Sequence, residues 1–308
     1  MFLPGGSLRQ GGGPLGAVVC ILALLSPTGA RTQQQGKISV LRIGTSGTLS
    51  PAGSDEKEAL RSLQSFIKDE TSFANEIIRE KDWQELAEKM AKGELHLGVF
   101  KGYEYAWAQE KHPELKPLAL ANTGSRPDRP YIEVYVVTRR DNPAKDFAGL
   151  QGQSLALPNT GQPEPRLFVA RQCQAQGKTL NAFFAKVTSP NDVEEALDNV
   201  VDGVVQAAVA DRTSLEAYKG RKPGRFKTLH QVAHSEPLPP PVVAYYNQVL
   251  DQATLKRFQQ GLLNASKSDR GQTLLTLFRL TDFAKVPGDF DQVLAETRKT
   301  YPPGTDTK

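Results

Sequence analysis

Four short stretches concentrate the side chains with which a protein holds a small ligand. Thr45-Ser46-Gly47-Thr48-Leu49, Lys101-Gly102-Tyr103-Glu104-Tyr105, Asn159-Thr160-Gly161-Gln162 and Asp211-Arg212-Thr213-Ser214 each follow an apolar run and open a helical pattern. Hydroxyls, amides and glycines at a helix start suit an anion, because unpaired backbone N–H groups and the positive end of the helix dipole point there. Ser and Thr at such places serve more often as caps than as ligand contacts, so each loop alone says little. Their convergence carries the argument, since ligands of open α/β sheets bind outside the carboxyl ends of the strands. Asp211 is open to two readings, receiver of a ligand cation or N-cap of the next helix.

Other chemistries find no motif. No Gly-x-x-x-x-Gly-Lys-Ser/Thr and no Gly-x-Gly-x-x-Gly opens a helix after a strand, so nucleotide binding is not expected. His230 and His234 would share one face of a helix, but the stretch from Thr228 to Ala233 reads as strand or loop, and no third ligand sits at metal-site spacing. No Gly-x-Ser-x-Gly elbow marks a nucleophile. The expectation is a protein without catalytic residues, metal or other cofactor.

Composition is that of an ordinary globular chain. Of 308 residues, 39% are hydrophobic and 23% charged, and 38 Lys and Arg against 34 Asp and Glu leave a net charge of +4 with the signs interspersed. That argues against nucleic acid as a partner. Arg9 precedes an apolar run from Ala17 to Leu25 that ends at Pro27-Thr28-Gly29-Ala30, the pattern of an export signal cleaved near Ala30. The run is shorter than the roughly 20 residues that span a bilayer. Cys20 follows Val18 and Val19 inside the run, so lipidation is not expected, and cleavage leaves Cys173 without a disulfide partner. The mature chain, starting near Arg31, is expected to be periplasmic or secreted.

Strand and helix patterns alternate from Lys37 onward, which implies α/β architecture with mostly parallel sheets. The first series runs through strands at 38–43, 73–78, 95–100 and 116–121, with Trp83, Leu86, Ala87 and Met90 at helical spacing and Gly93 as the stop. The stretch from Asn122 to Pro130 is turn-rich and marks a lobe boundary. Strands at 131–138, 155–157, 183–187 and 204–209 and helices at 164–176 and 191–201 repeat the pattern in a second lobe. Residues 242–246 make a second crossing strand. Three helices follow, near 251–265, 269–279 and 288–301, with no new strand.

Leu41-Arg42-Ile43-Gly44, Leu97-Gly98-Val99-Phe100 before Tyr105-Ala106-Trp107-Ala108, Tyr135-Val136-Val137-Thr138-Arg139 before Leu150-Gln151-Gly152-Gln153, and Glu236-Pro237-Leu238-Pro239-Pro240-Pro241 stand in an order and spacing that resembles a known family. The family is the periplasmic substrate-binding proteins of phosphate, phosphite and phosphonate ABC transporters, and the resemblance covers roughly residues 38–302. It implies two α/β lobes of the type II-like periplasmic-binding-protein fold, with lobe one at 31–130, lobe two at 131–245, hinge strands near 131–139 and 241–246, and C-terminal helices at 246–308 packed back on lobe one. Two crossing strands would let the lobes close over a ligand in the cleft. The ligand contacts it implies are Tyr105 or its neighbour Tyr103, the Thr160 loop with Gly161 and Gln162, and Asp211, near where family members hold a ligand amine; the loop after the first strand adds Ser46 and Thr48 as candidates, and the tyrosines would pack on the organic part. Phosphonate binders show a Ser-Thr-Ser-Gly turn where this chain has Asn159-Thr160-Gly161-Gln162-Pro163-Glu164, so only Thr160 keeps a hydroxyl and Glu164 adds a negative charge. Arg166 or Arg126 would have to compensate. The implied function is capture of a small phosphorus oxyanion, by a monomer that delivers it to a membrane ABC permease. The alternative is a sensor or adaptor of the same fold that binds another small metabolite.

Overall fold

The computed structural model describes residues 39–46, 56–124, 129–247 and 249–304. Thr48, Arg126, Cys20 and the leader lie outside them. Strand β1 (Val40–Ser46), helix α1 (Glu56–Thr71), β2 (Ala74–Glu80), α2 (Trp83–Ala91), β3 (Leu97–Phe100), α3 (Gly102–Lys111) and β4 (Leu115–Asn122) form the first series. The second holds β5 (Val134–Arg139), β6 (Ser154–Ala156), α4 (Glu164–Ala175), α5 (Leu180–Phe183), β7 (Lys186–Thr188), α6 (Val193–Val201), β8 (Ala207–Asp211), α7 (Arg212–Arg221), α8 (Pro223–Phe226) and β9 (Leu229–His234). The chain then returns through β10 (Val242–Tyr246), α9 (Gln252–Leu263), α10 (Asp269–Leu277), β11 (Asp282–Ala284) and α11 (Phe290–Thr300).

Two sheets result, in the orders β11-β4-β10-β3-β1-β2 and β7-β6-β8-β5-β9. They are mixed rather than mostly parallel. β1 runs parallel to β2 and β3, and β6 to β7 and β8, but β10 lies antiparallel between β3 and β4, and β5 is antiparallel to both of its neighbours. The cause is the crossing: a strand that arrives from the other lobe enters the sheet from its opposite end. The crossings themselves pair at Ile132 and Leu238, whose amides and carbonyls bond at 2.9 and 2.8 Å, while β5 belongs wholly to the second sheet and β10 to the first.

Local chemistry repeats between the lobes. Asp82 caps α2 by accepting the Glu85 N–H at 2.9 Å, and Asp192 caps α6 by accepting the Glu195 N–H at 2.8 Å. Glu85 and Glu195 reach back to the N–H of Lys81 and Asn191. Both helices stop at a glycine with φ of +74°, Gly93 and Gly203. Between cap and stop, Trp83, Leu86, Ala87 and Met90 in one, and Ala196, Leu197 and Val200 in the other, are buried at the spacing of one helix face.

Two further expectations differ from the structure. Residues 183–187 are not one strand: Leu180–Phe183 is a turn of helix whose Phe183 packs against Phe147 and Phe184, and the strand β7 starts only at Lys186. The C-terminal segment does add a strand, since Asp282–Ala284 pairs with Leu120–Asn122 at the edge of the first sheet. Three residues of edge strand are too few for a period-2 pattern to register. α1 packs against α9 and α10, and α11 against α3. The end of α11 also reaches the second lobe, where Arg171 of α4 donates to the Thr300 carbonyl at 2.8 Å.

Candidate functional site

β1, β3 and β4 of the first lobe end beside the turn that precedes α4 in the second, and there one cavity is lined by Ser46, Lys101, Thr160, Gly161, Gln162 and Glu164. Gly161 makes the turn possible, with φ of +79°. The hydroxyl, amide and glycine of this turn face Ser46 and Lys101 across the cleft, so the structure brings Thr160 together with residues 59 and 114 positions before it in the chain.

The electrostatics depart from a plain anion site. Lys101 stands at the N-cap of α3 without capping it, and its Nζ donates to Glu104 Oε1 at 2.9 Å while the Ser46 hydroxyl donates to Glu104 Oε2. Glu104 is buried, so the start of α3 already holds a carboxylate of the chain's own. Glu164 does the same at α4, where it is the first helical residue and 2% exposed. Its own backbone N–H holds the carboxylate in part, but its Oε1 has no hydrogen-bond partner among the described residues. Burial pushes its pKa up to about 7, and the Lys101 charge opposes that while Glu104 and Asp211 add to it. Lys101 is thus the cation that faces Glu164. Arg166 is exposed and lines the outer side of the turn.

Other expected contacts fall elsewhere. Tyr105 is fully buried, stacks on Phe290 at 6.1 Å and donates its hydroxyl to the Leu115 carbonyl at 3.2 Å, so it packs the core and does not line the cavity. Tyr103 is buried against Trp107, edge to face at 5.0 Å. Every residue from Gly102 to Ala108 is buried, so α3 is covered all round, and sequence alone cannot tell a core from a cleft around such a helix start. Asp211 caps α7, accepting the Ser214 N–H at 2.9 Å and the Ser214 hydroxyl at 2.6 Å, and it does not line the cavity. Lys101 and Glu104 were the residues the sequence hid. Their signal was a lysine at the positive end of a helix with an acid three residues on, an arrangement that places one charge against the dipole and the other with it.

The remaining candidates settle as structure. His230 and His234 are both exposed on strand β9, where four residues span about 13 Å, too far to share an ion. No group of three His, Cys, Asp or Glu among the described residues is placed to hold a metal. Cys173 is fully buried and burial pushes its thiol up to about 12, which leaves no reactive thiolate at neutral pH. No helix of the described residues is long and apolar enough to cross a membrane.

Comparison with known proteins places this geometry. No curated protein sequence matches the chain. The structure is similar to that of XAC2383 from Xanthomonas citri bound to chloride ion, with 17% identity, a TM-score of 0.57, and coverage of 86% of this chain and 98% of the other. It is also similar to PhnD1 from Prochlorococcus marinus in complex with methylphosphonate, with 13% identity, a TM-score of 0.51, and coverage of 85% and 97%. At such identities the likeness bears on the fold, which is the two-lobed α/β fold with a cleft between the lobes. Residues 48–289 match the family described as "ABC transporter, phosphonate, periplasmic substrate-binding protein", and the chain belongs to that family of periplasmic substrate-binding proteins of phosphonate ABC transporters.

Proposed function

We propose that this protein captures a small phosphorus oxyanion, a phosphonate, phosphite or phosphate, in the interlobe cleft and delivers it to an ABC permease. The observation that carries this reading is the cavity in which Lys101 and Ser46 of one lobe face the Thr160-Gly161-Gln162 turn of the other. Lys101 supplies charge, and the Thr160 hydroxyl and the amides of its turn supply directed hydrogen bonds, while the Ser46 hydroxyl donates to Glu104. Glu164 fits such a ligand in its protonated form, because a carboxylic acid donates where a carboxylate repels, and its raised pKa keeps that form populated near neutral pH. The protein acts as a monomer by this reading, in the periplasm or outside the cell after loss of residues 1–30.

Calorimetric titration against methylphosphonate, aminoethylphosphonate, phosphite, phosphate and sulfate tests it. One phosphorus anion is expected to bind, with affinity at least tenfold lower in Lys101→Ala and Thr160→Ala. Wild-type affinity in both variants would move the site elsewhere. A second reading has its own observation: carboxylates of the chain, Glu104 and Glu164, already occupy the helix starts on both sides of the cleft. A sensor or adaptor for a cationic or neutral metabolite would use them as acceptors. Binding of an amine with no binding of any oxyanion would establish it.

A further inference from the structure

The cavity at the cleft does not end there. From its polar mouth it runs beneath the first sheet, between the strands and the layer of α1, α9 and α10, to a volume of about 220 Å³. Leu63 and Ile67 of α1, Val99 of β3, Phe258 of α9, Leu274 of α10 and Phe283 of β11 line this deeper part, and none carries a polar atom in its side chain. Protein interiors are packed to crystal density, with few voids larger than a water molecule. An enclosed apolar cavity of about 150 Å³ keeps no water and accommodates a benzene ring.

The space belongs to one face of the sheet. The same sheet packs its opposite face so closely that a Cβ on Gly98 would stand 2.4 Å from the Met90 sulfur. Polar and apolar parts are instead divided along one continuous cavity. Ser46, Lys101, Thr160, Gln162 and Glu164, whose Oε1 has no partner among the described residues, are at the open end, and apart from Thr123 and Arg279 the rest of the lining is apolar. That division matches an amphiphile, head outward and tail inward.

We propose that the ligand carries an alkyl chain of about six to eight carbons, which lies beneath the first sheet while its polar head sits among Lys101, Thr160 and Glu164. The identity of the head rests on the reading given above, and the tail does not. Burial of each methylene then adds about 0.8 kcal/mol, a fourfold gain in affinity, until the cavity is full.

Titration of the protein with n-alkylphosphonates from methyl to decyl, below their micellar concentrations, reads that gain directly, and n-alkylcarboxylates and n-alkylammonium ions of the same lengths vary the head. Affinity is expected to climb about fourfold per carbon and to level off at the chain that fills the cavity. Leu274→Phe is expected to bring the plateau to shorter chains and Leu274→Ala to longer ones, with a melting curve confirming that each variant is folded. Methylphosphonate binding without any gain from longer chains overturns the tail and leaves the head reading standing. A chain-length gain for carboxylates or ammonium ions, with no phosphonate bound, supports the tail and removes the phosphonate. No gain in any of the three series overturns the proposal.

Discussion

One sheet with two differently packed faces is the lesson of the first lobe. On the side of α2 and α3, Gly44 of β1 stands beside Gly98 of β3, and the absence of two Cβ atoms lets α2 lie directly on the strands. A Cβ at Gly44 would come within 2.4 Å of Leu86 and 2.6 Å of Leu95. On the side of α1, α9 and α10 the residues are as apolar and many are as buried, Ile67 at 1%, Leu97 at 0% and Leu274 at 1%, yet a cavity of about 220 Å³ remains. Hydrophobicity alone therefore does not close a core. Shape does, and the cost of leaving a cavity open, about 24 cal/mol per Å³, is borne where the cleft opens into it.

Truncation should separate the two faces most. Leu86→Ala on the close-packed side is expected to cost about 4 kcal/mol, and Leu274→Ala, which already borders empty space and loses fewer contacts, about 2 kcal/mol. Urea unfolding of the two variants measures the gap, and equal losses would erase the distinction between the faces. Addition tests the converse. Gly44→Val should destabilise by about 2–3 kcal/mol through overpacking, whereas Ala121→Val, which borders the cavity, should change stability by less than about 0.5 kcal/mol.

Glu164 sharpens the comparison at the mouth of the cavity. Its folded pKa of about 7 lies above the ordinary 4.5, so between those values the folded chain binds more protons than the unfolded one. Stability then falls as pH rises through that window and levels off above it. Glu164→Gln removes the slope, with a gain of about 3 kcal/mol at pH 8 and little at pH 4, read as the pH dependence of the unfolding midpoint. Absence of a pH-dependent difference would mean that the carboxyl is not held away from water. The smallest effect is expected at Asp211. Asp211→Ala should cost about 1 kcal/mol, the loss of an N-cap, and leave ligand affinity within about twofold, whereas a larger loss of affinity would return this residue to the site.

Much of the architecture was legible because it rests on local rules. Asp82, the apolar spacing from Trp83 to Met90 and Gly93 mark one helix from cap to stop, and Asp192 to Gly203 repeat the device in the second lobe. The turn at Thr160-Gly161-Gln162 was legible as a candidate for the same reason: a glycine at positive φ between a strand and a helix start is a local requirement. Tyr103 and Tyr105 were not, because whether an aromatic at a helix start meets a ligand or a core depends on what packs there, and Trp107 and Phe290 do.

By itself the sequence determined most of the elements, the two series and the family, since capping, periodicity and turn chemistry act over a few residues; it misplaced the strand at 183–187 and missed the three-residue edge strand β11. Tertiary structure alone decided which strands run antiparallel, since pairing direction depends on where the chain re-enters a sheet. It also decided that Lys101, Glu104 and Glu164 share one cleft and that a cavity opens behind them. Those facts join residues far apart in the chain, and no local pattern encodes the distance between them.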